Sequence, residues 1–177
     1  RALGVTGARI GFEPGFLPMD AHAVLAAGLS GLTDATAMLE EMRAIKTPEE
    51  LSLLRTASEK ITEAMGATIA AAREGWTKAQ IIEELRRQET GLGLHFDYCL
   101  LTLGASHNRA ASGQIWREGE ILSIDSGGNW HGYIGDLCRM GVLGEPDAEL
   151  EDLLAEVESV QQAAFAHLRP GARGAEM

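Results

Sequence analysis

Apolar residues recur at helical spacing from Leu51 through Leu54, Ala57, Ile61, Met65 and Ile69, which predicts a long helix running to about Glu74. Its start is marked: Thr47 can cap, Pro48 suits the first helical position, and Glu50 completes a capping box. Gly75 and Trp76 break the pattern. Thr77 then caps a second helix through Ile81, Ile82 and Leu85, ending near Gly91 to Gly93. From His95 the period changes. Residues 96–103, 120–125 and 129–142 read as strands, the last bent at Gly132, Gly135 and Gly141. Ser126-Gly127-Gly128-Asn129 reads as the turn of a hairpin between the last two. Leu150, Leu153, Leu154, Val157, Val160, Ala164, Phe165 and Leu168 give an amphipathic helix over 149–168. Two helices, a meander of strands and another helix predict an α+β fold.

The opening segment is different. Residues 9–13 read as a short strand and 19–29 as an Ala-rich helix with Asp20 as its N-cap. Residues 33–37 read as a second strand, followed by a polar run through Lys46. This stretch is too short to bury a core alone. It reads as a C-terminal remnant, residues 1–46, of an N-terminal domain, with a second domain over 47–177. The chain opens at Arg1 in strand-like sequence and closes just after Leu168-Arg169-Pro170-Gly171, a helix exit. Both ends are therefore expected to be cut from something longer.

Composition adds exclusions. With 45% hydrophobic and 23% charged residues, the chain has the make-up of a globular protein. No apolar run reaches the roughly 20 residues of a membrane span, so no membrane partner is expected. A net charge of −11 repels phosphate backbones, so no nucleic-acid partner is expected either. Cys99 and Cys138 fit no disulfide framework and no CxxC metal pattern. They are expected to be buried, reduced thiols in a cytoplasmic protein.

Asp125 and Asp136 lie eleven positions apart on the two arms of the predicted hairpin. A hairpin can bring such positions together across the strands. Two carboxylates there repel unless a cation or a proton sits between them. Ile121, Leu122 and Ile124 on one arm and Ile134, Leu137 and Met140 on the other make the surroundings apolar. A divalent metal resolves the cost, and hard oxygen donors favour Mn, Mg, Co or Zn. The alternative is that the acids cap turns or face water.

The stretch from Gly119-Glu120-Ile121-Leu122-Ser123-Ile124-Asp125 to Gly132-Tyr133-Ile134-Gly135-Asp136-Leu137-Cys138-Arg139 resembles the first metal-binding hairpin of the creatinase/methionine aminopeptidase superfamily, the pita-bread metallopeptidases. Residues 42–55 resemble the junction helix of its Xaa-Pro aminopeptidase and prolidase branch, and Ile10-Gly11-Phe12-Glu13 the end of that branch's N-terminal domain. The resemblance implies the first half of a pita-bread catalytic domain, preceded by the tail of an N-terminal α/β domain. It implies two divalent ions (Mn, Co or Zn), with Asp136 bridging both and Asp125 binding one. The ions would share a water and aim it at a peptide carbonyl. His107, in Ser106-His107-Asn108, matches an active-site histidine outside the metal shell that donates to the substrate carbonyl. Arg139 would sit behind Asp136 as its partner. The implied substrates are short proline-containing peptides, and the implied assembly a homodimer.

In that family the remaining ligands, a histidine and two glutamates, come from the second half of the unit. This chain by itself is therefore expected to hold metal weakly or not at all, and to be a poor enzyme. Two other readings stay open. One is a creatinase-like C–N hydrolase that uses no metal, suggested by Ser106-His107-Asn108. The other is a non-catalytic interaction module that associates through Leu153, Val157 and Phe165.

Overall fold

The structure, a computed structural model, describes residues 8–176. They fall into two compact units divided between Ser52 and Leu53. In the first, strands β1 (Ile10–Phe12) and β2 (Leu32–Asp34) pair in parallel, with helix α1 (Met19–Gly28) between them in sequence. The strand expected over 33–37 ends early. The Asp34 carboxylate accepts the Thr36 N–H at 2.9 Å and its hydroxyl at 2.6 Å, and the chain turns into helix α2 (Thr36–Ala44). The sequence reads there only as a polar run. Asp20 is not the cap of α1: Pro18 precedes the first turn and Asp20 lies inside it.

Helix α3 (Pro48–Ala71) starts on the predicted capping box and ends three residues before Glu74. Thr47 N donates to Glu50 Oε2 at 2.7 Å, and Glu50 N donates to Thr47 Oγ1 at 3.2 Å. Helix α4 (Lys78–Gly91) begins in the same way, with Thr77 and Gln80 as the reciprocal pair. An antiparallel sheet in the order β3 (His95–Leu103), β4 (Ile121–Trp130), β5 (Tyr133–Val142) forms the centre of the second unit. Helix α5 (Ala148–Phe165) follows, capped by Asp147 through Leu150 N at 2.8 Å. Ile61 and Met65 of α3, Ile81 and Leu85 of α4, and Leu101, Leu103, Leu122 and Ile124 of the sheet pack around Trp116, all essentially without exposed surface. Each such side chain contributes about 1.5–3 kcal/mol by leaving water.

The predicted turn at 126–129 is wrong. Strand β4 runs through Gly127 and Gly128 to Trp130, and the turn is His131-Gly132, with φ of 51° and 90°. Two central residues at positive φ make the primed turn whose twist matches the flanking strands. Asn129 Oδ1 holds the Gly132 N–H at 2.8 Å. The two glycines serve close packing instead. A Cβ on Gly127 would lie 2.8 Å from Tyr98 Cε1, and one on Gly128 2.7 Å from Leu94 Cδ1. Gly135 has the same role against α3, where a Cβ would lie 2.6 Å from the Ala57 carbonyl carbon.

Candidate metal centre

The His131-Gly132 turn sets the register of the hairpin. Asp125 stands opposite Cys138, and Asp136 stands opposite Gly127. Alternation then puts both acids on one face of the sheet, as diagonal cross-strand neighbours. A turn at Gly127-Gly128 would instead have set Asp125 opposite Trp130. The helices cover the other face, where Leu122, Ile124 and Ser126 are fully buried. The acid-bearing face is open: Asp136 is exposed, Asp125 is half-buried, and Leu100, Ile134 and Met140 surround them with exposed apolar surface.

The acids do not face each other uncompensated. Arg109 Nη2 pairs with Asp125 Oδ2. The Tyr98 ring lies over Gly127, and its hydroxyl hydrogen-bonds with Asp136. That bond, burial, and the charges of Asp136 and Asp125 push the phenol well above its ordinary range. A guanidinium and a phenol thus supply compensation that the sequence reading assigned to a metal alone. Periodicity carries no sign of either residue; the one local pointer to Arg109 is its place two positions after His107.

His107 is exposed in the loop between β3 and β4. The first turn of α4 pins that loop: Lys78 N donates to Gln114 O at 2.9 Å, and Ala79 N to Ser112 O at 3.1 Å. Lys78 is itself fully buried, and its ammonium donates to the carbonyl of Asn108, the residue between His107 and Arg109. Desolvation lowers its pKa. Arg139 is a different case. It stands opposite Ile124, so its side chain leaves the sheet on the helix-covered face, away from Asp125 and Asp136. Its contacts are Thr62 Oγ1 at 3.5 Å and the Cys138 carbonyl at 2.8 Å. Arg139 and Asp136 therefore leave β5 on opposite faces of the sheet. Cys138 is exposed beside Ser123 Oγ at 3.4 Å, and Cys99 is half-buried, against the expectation of two buried thiols.

A second buried ionisable group lies beneath the site. Glu89 of α4 has no exposed surface, and its Oε2 has no hydrogen-bond partner among the described residues. Ser126 Oγ lies 2.5 Å from the Tyr98 carbonyl and 3.1 Å from Glu89 Oε1. One hydroxyl proton cannot serve both. Given to the carbonyl, it leaves Ser126 Oγ to accept from a protonated Glu89. Burial pushes this acid up to about 7, with Asp97 raising it and Arg86 lowering it; only a bond donated by Ser126 would oppose the rise.

Asp125 and Asp136 are hard oxygen donors on one open face, the chemistry of a hard divalent ion. They fit such an ion as part of its shell. Among the described residues no group of three or more His, Cys, Asp and Glu side chains converges to complete one.

The sequence model of Metallopeptidase family M24 matches residues 52–177. The chain is 26% identical over 176 residues to the uncharacterised peptidase YqhT of Bacillus subtilis, covering 95% of this chain and 50% of that protein. It is 26% identical over 149 residues to the Xaa-Pro dipeptidase of Pyrococcus furiosus, covering 79% of this chain and 42% of that protein. The X-Pro aminopeptidase of Thermotoga maritima MSB8 superposes with a TM-score of 0.79 at 20% identity, over 90% of this chain and 47% of its own. The chain thus spans about half the length of the relatives it matches.

Proposed function

Because the chain belongs to Metallopeptidase family M24, we propose that it supplies one half of a metal-dependent peptidase site for short proline-containing peptides. Its backbone follows the pita-bread fold of the solved relatives over about half their length. The observation that carries the reading is the register that puts Asp125 and Asp136 diagonally across β4 and β5 on an open face. In this reading the two aspartates hold divalent ions (Mn, Co or Zn) together with donors from polypeptide beyond the described residues. Bound there, the ions supply a charge that makes water a nucleophile at neutral pH.

The chain's own residues carry the remaining roles. Asp125 and Asp136 fix the ions on the sheet. His107 donates a hydrogen bond to the substrate carbonyl and to the charge that develops on it. Lys78 and the first turn of α4 hold the loop that presents His107. Tyr98 orients the Asp136 carboxylate. Proline selectivity is supported by the names of the Pyrococcus and Thermotoga relatives. The unpaired Cys99 and Cys138 support a reducing, cytoplasmic setting. Exposed Leu153, Leu154, Val157 and Phe165 on α5 support association with further polypeptide, including a second copy.

The Arg109–Asp125 pair favours a second reading, a metal-independent C–N hydrolase, because a guanidinium already neutralises one acid. The test joins the chain to the sequence that follows it in its gene. The product is stripped of metal, resupplied with Mn²⁺ or Co²⁺, and assayed on Xaa-Pro dipeptides and tripeptides. Metal-restored cleavage before proline is expected. An active but metal-free protein, seen by elemental analysis, would establish the second reading, and no cleavage with any metal would remove the first.

A further inference from the structure

Arg109 is a cation placed on a carboxylate that is read as a metal donor, and its backbone is fixed on both sides. The Asn108 carbonyl before it accepts from Lys78 Nζ, and its own carbonyl accepts from Leu101 N at 3.0 Å. Asn108 stiffens the same turn: its N–H meets Ser106 Oγ at 3.3 Å, and its Oδ1 accepts Ala110 N at 3.0 Å. The side chains are freer, with 51% of Arg109 and 30% of Asp125 exposed. A surface ion pair of this kind is weakly held. A divalent ion at Asp125 and the guanidinium would repel each other at contact distance.

We infer that Arg109 is a built-in counter-cation that occupies Asp125 until a divalent ion displaces it. The exchange is a rotation of the Arg109 side chain. The backbone pins at Asn108 and Arg109 keep the loop, and with it His107, in the same place whether or not metal is bound. The two acids are thereby kept near each other in the absence of metal, at the cost of competition when it arrives. This inference rests on the reading of Asp125 as a metal donor, and the experiment separates the two.

Mn²⁺ binding to the extended protein of the preceding test is measured from the loss of the free-ion EPR signal, for the unaltered chain and for Arg109→Gln, Arg109→Lys, Asp125→Asn and the Arg109→Gln/Asp125→Asn double variant. Arg109→Gln is expected to tighten binding about fivefold, the factor that corresponds to losing a competing surface ion pair. Arg109→Lys, which keeps the charge, is expected to stay near the unaltered chain. Asp125→Asn is expected to weaken binding and to abolish the gain from Arg109→Gln. In a parallel Mg²⁺ titration followed by NMR, the Arg109 Nε–H resonance should move while the Leu101 N–H stays. Unchanged or weaker binding in Arg109→Gln, with Asp125→Asn still impaired, overturns the inference and leaves the metal reading standing. A shift of Leu101 N–H overturns the fixed-loop part. Equal binding, or none, in the unaltered chain and Asp125→Asn overturns the metal reading itself and the inference with it.

Discussion

Glu89→Gln isolates the energetic effect of the buried acid beneath β4. Glu89 has no exposed surface, one oxygen unpartnered among the described residues, and a pKa pushed up to about 7 from its ordinary 4.5. Below pH 4.5 both folded and unfolded chains carry its proton, and folding is indifferent to it. Between 4.5 and about 7 the folded chain keeps a proton that the unfolded chain has lost, so stability falls as pH rises. Above about 7 the loss is complete and constant. At about 1.36 kcal/mol per pH unit the gap corresponds to about 3 kcal/mol. Glutamine keeps the shape and stays neutral, and its amide can donate to Ser126 Oγ as the protonated acid does. Asp97, Arg86 and Cys99 face the same site and remain in both proteins. Urea unfolding at pH 4.5, 6 and 8, followed by tryptophan fluorescence, reports on the right unit, because Trp76, Trp116 and Trp130 all lie beyond Ser52. The stability of the unaltered chain should fall by about 3 kcal/mol relative to Glu89→Gln between pH 4.5 and 8. A difference between the two proteins that does not change with pH would refute the reasoning.

Two further substitutions test the packing that supports the site. Gly135→Ala drives a methyl into the α3 backbone at Ala57 and should cost about 1–3 kcal/mol, read as a lower melting temperature in circular dichroism. Lys78→Met removes the donor to the Asn108 carbonyl while keeping an apolar stem in the core. It should accelerate hydrogen exchange at Leu101 N–H, whose acceptor is Arg109, more than at Ile124 N–H in the centre of the sheet. Equal acceleration at both would mean that Lys78 supports the fold at large rather than the loop.

Much of the fold is legible in the sequence where local chemistry and periodicity agree. Thr47-Pro48-Glu49-Glu50 marks the start of α3 because its capping groups are all local. Thr77 and Gln80 do the same for α4. The hairpin is harder. Ser126-Gly127-Gly128-Asn129 has turn composition, yet its glycines answer to Tyr98 and Leu94, which approach from a neighbouring strand and from the other face. Such demands are tertiary and leave no periodic trace. The true turn contains His131 at positive φ, a conformation few non-glycine residues adopt, so composition understates it. Helix α2 escapes notice for a different reason: Asp34 and Thr36 start it, but its apolar stripe, Met38, Leu39 and Met42, is short and set among charged residues. In the site, Asp125 and Asp136 stand out as charges within apolar strands. Arg109, Tyr98, Lys78 and Glu89 do not, since each acquires its role from a residue distant in sequence.

The proposed site requires Asp125 and Asp136 to hold one guest between them. Crystals of the extended protein soaked in MnCl₂, with anomalous data collected above the manganese edge, examine this directly. The expected result is an anomalous peak within coordination distance of oxygens from both aspartates, with the Arg109 guanidinium turned away from Asp125. A well-ordered hairpin with no peak between the two carboxylates, or with their oxygens directed apart, would contradict it.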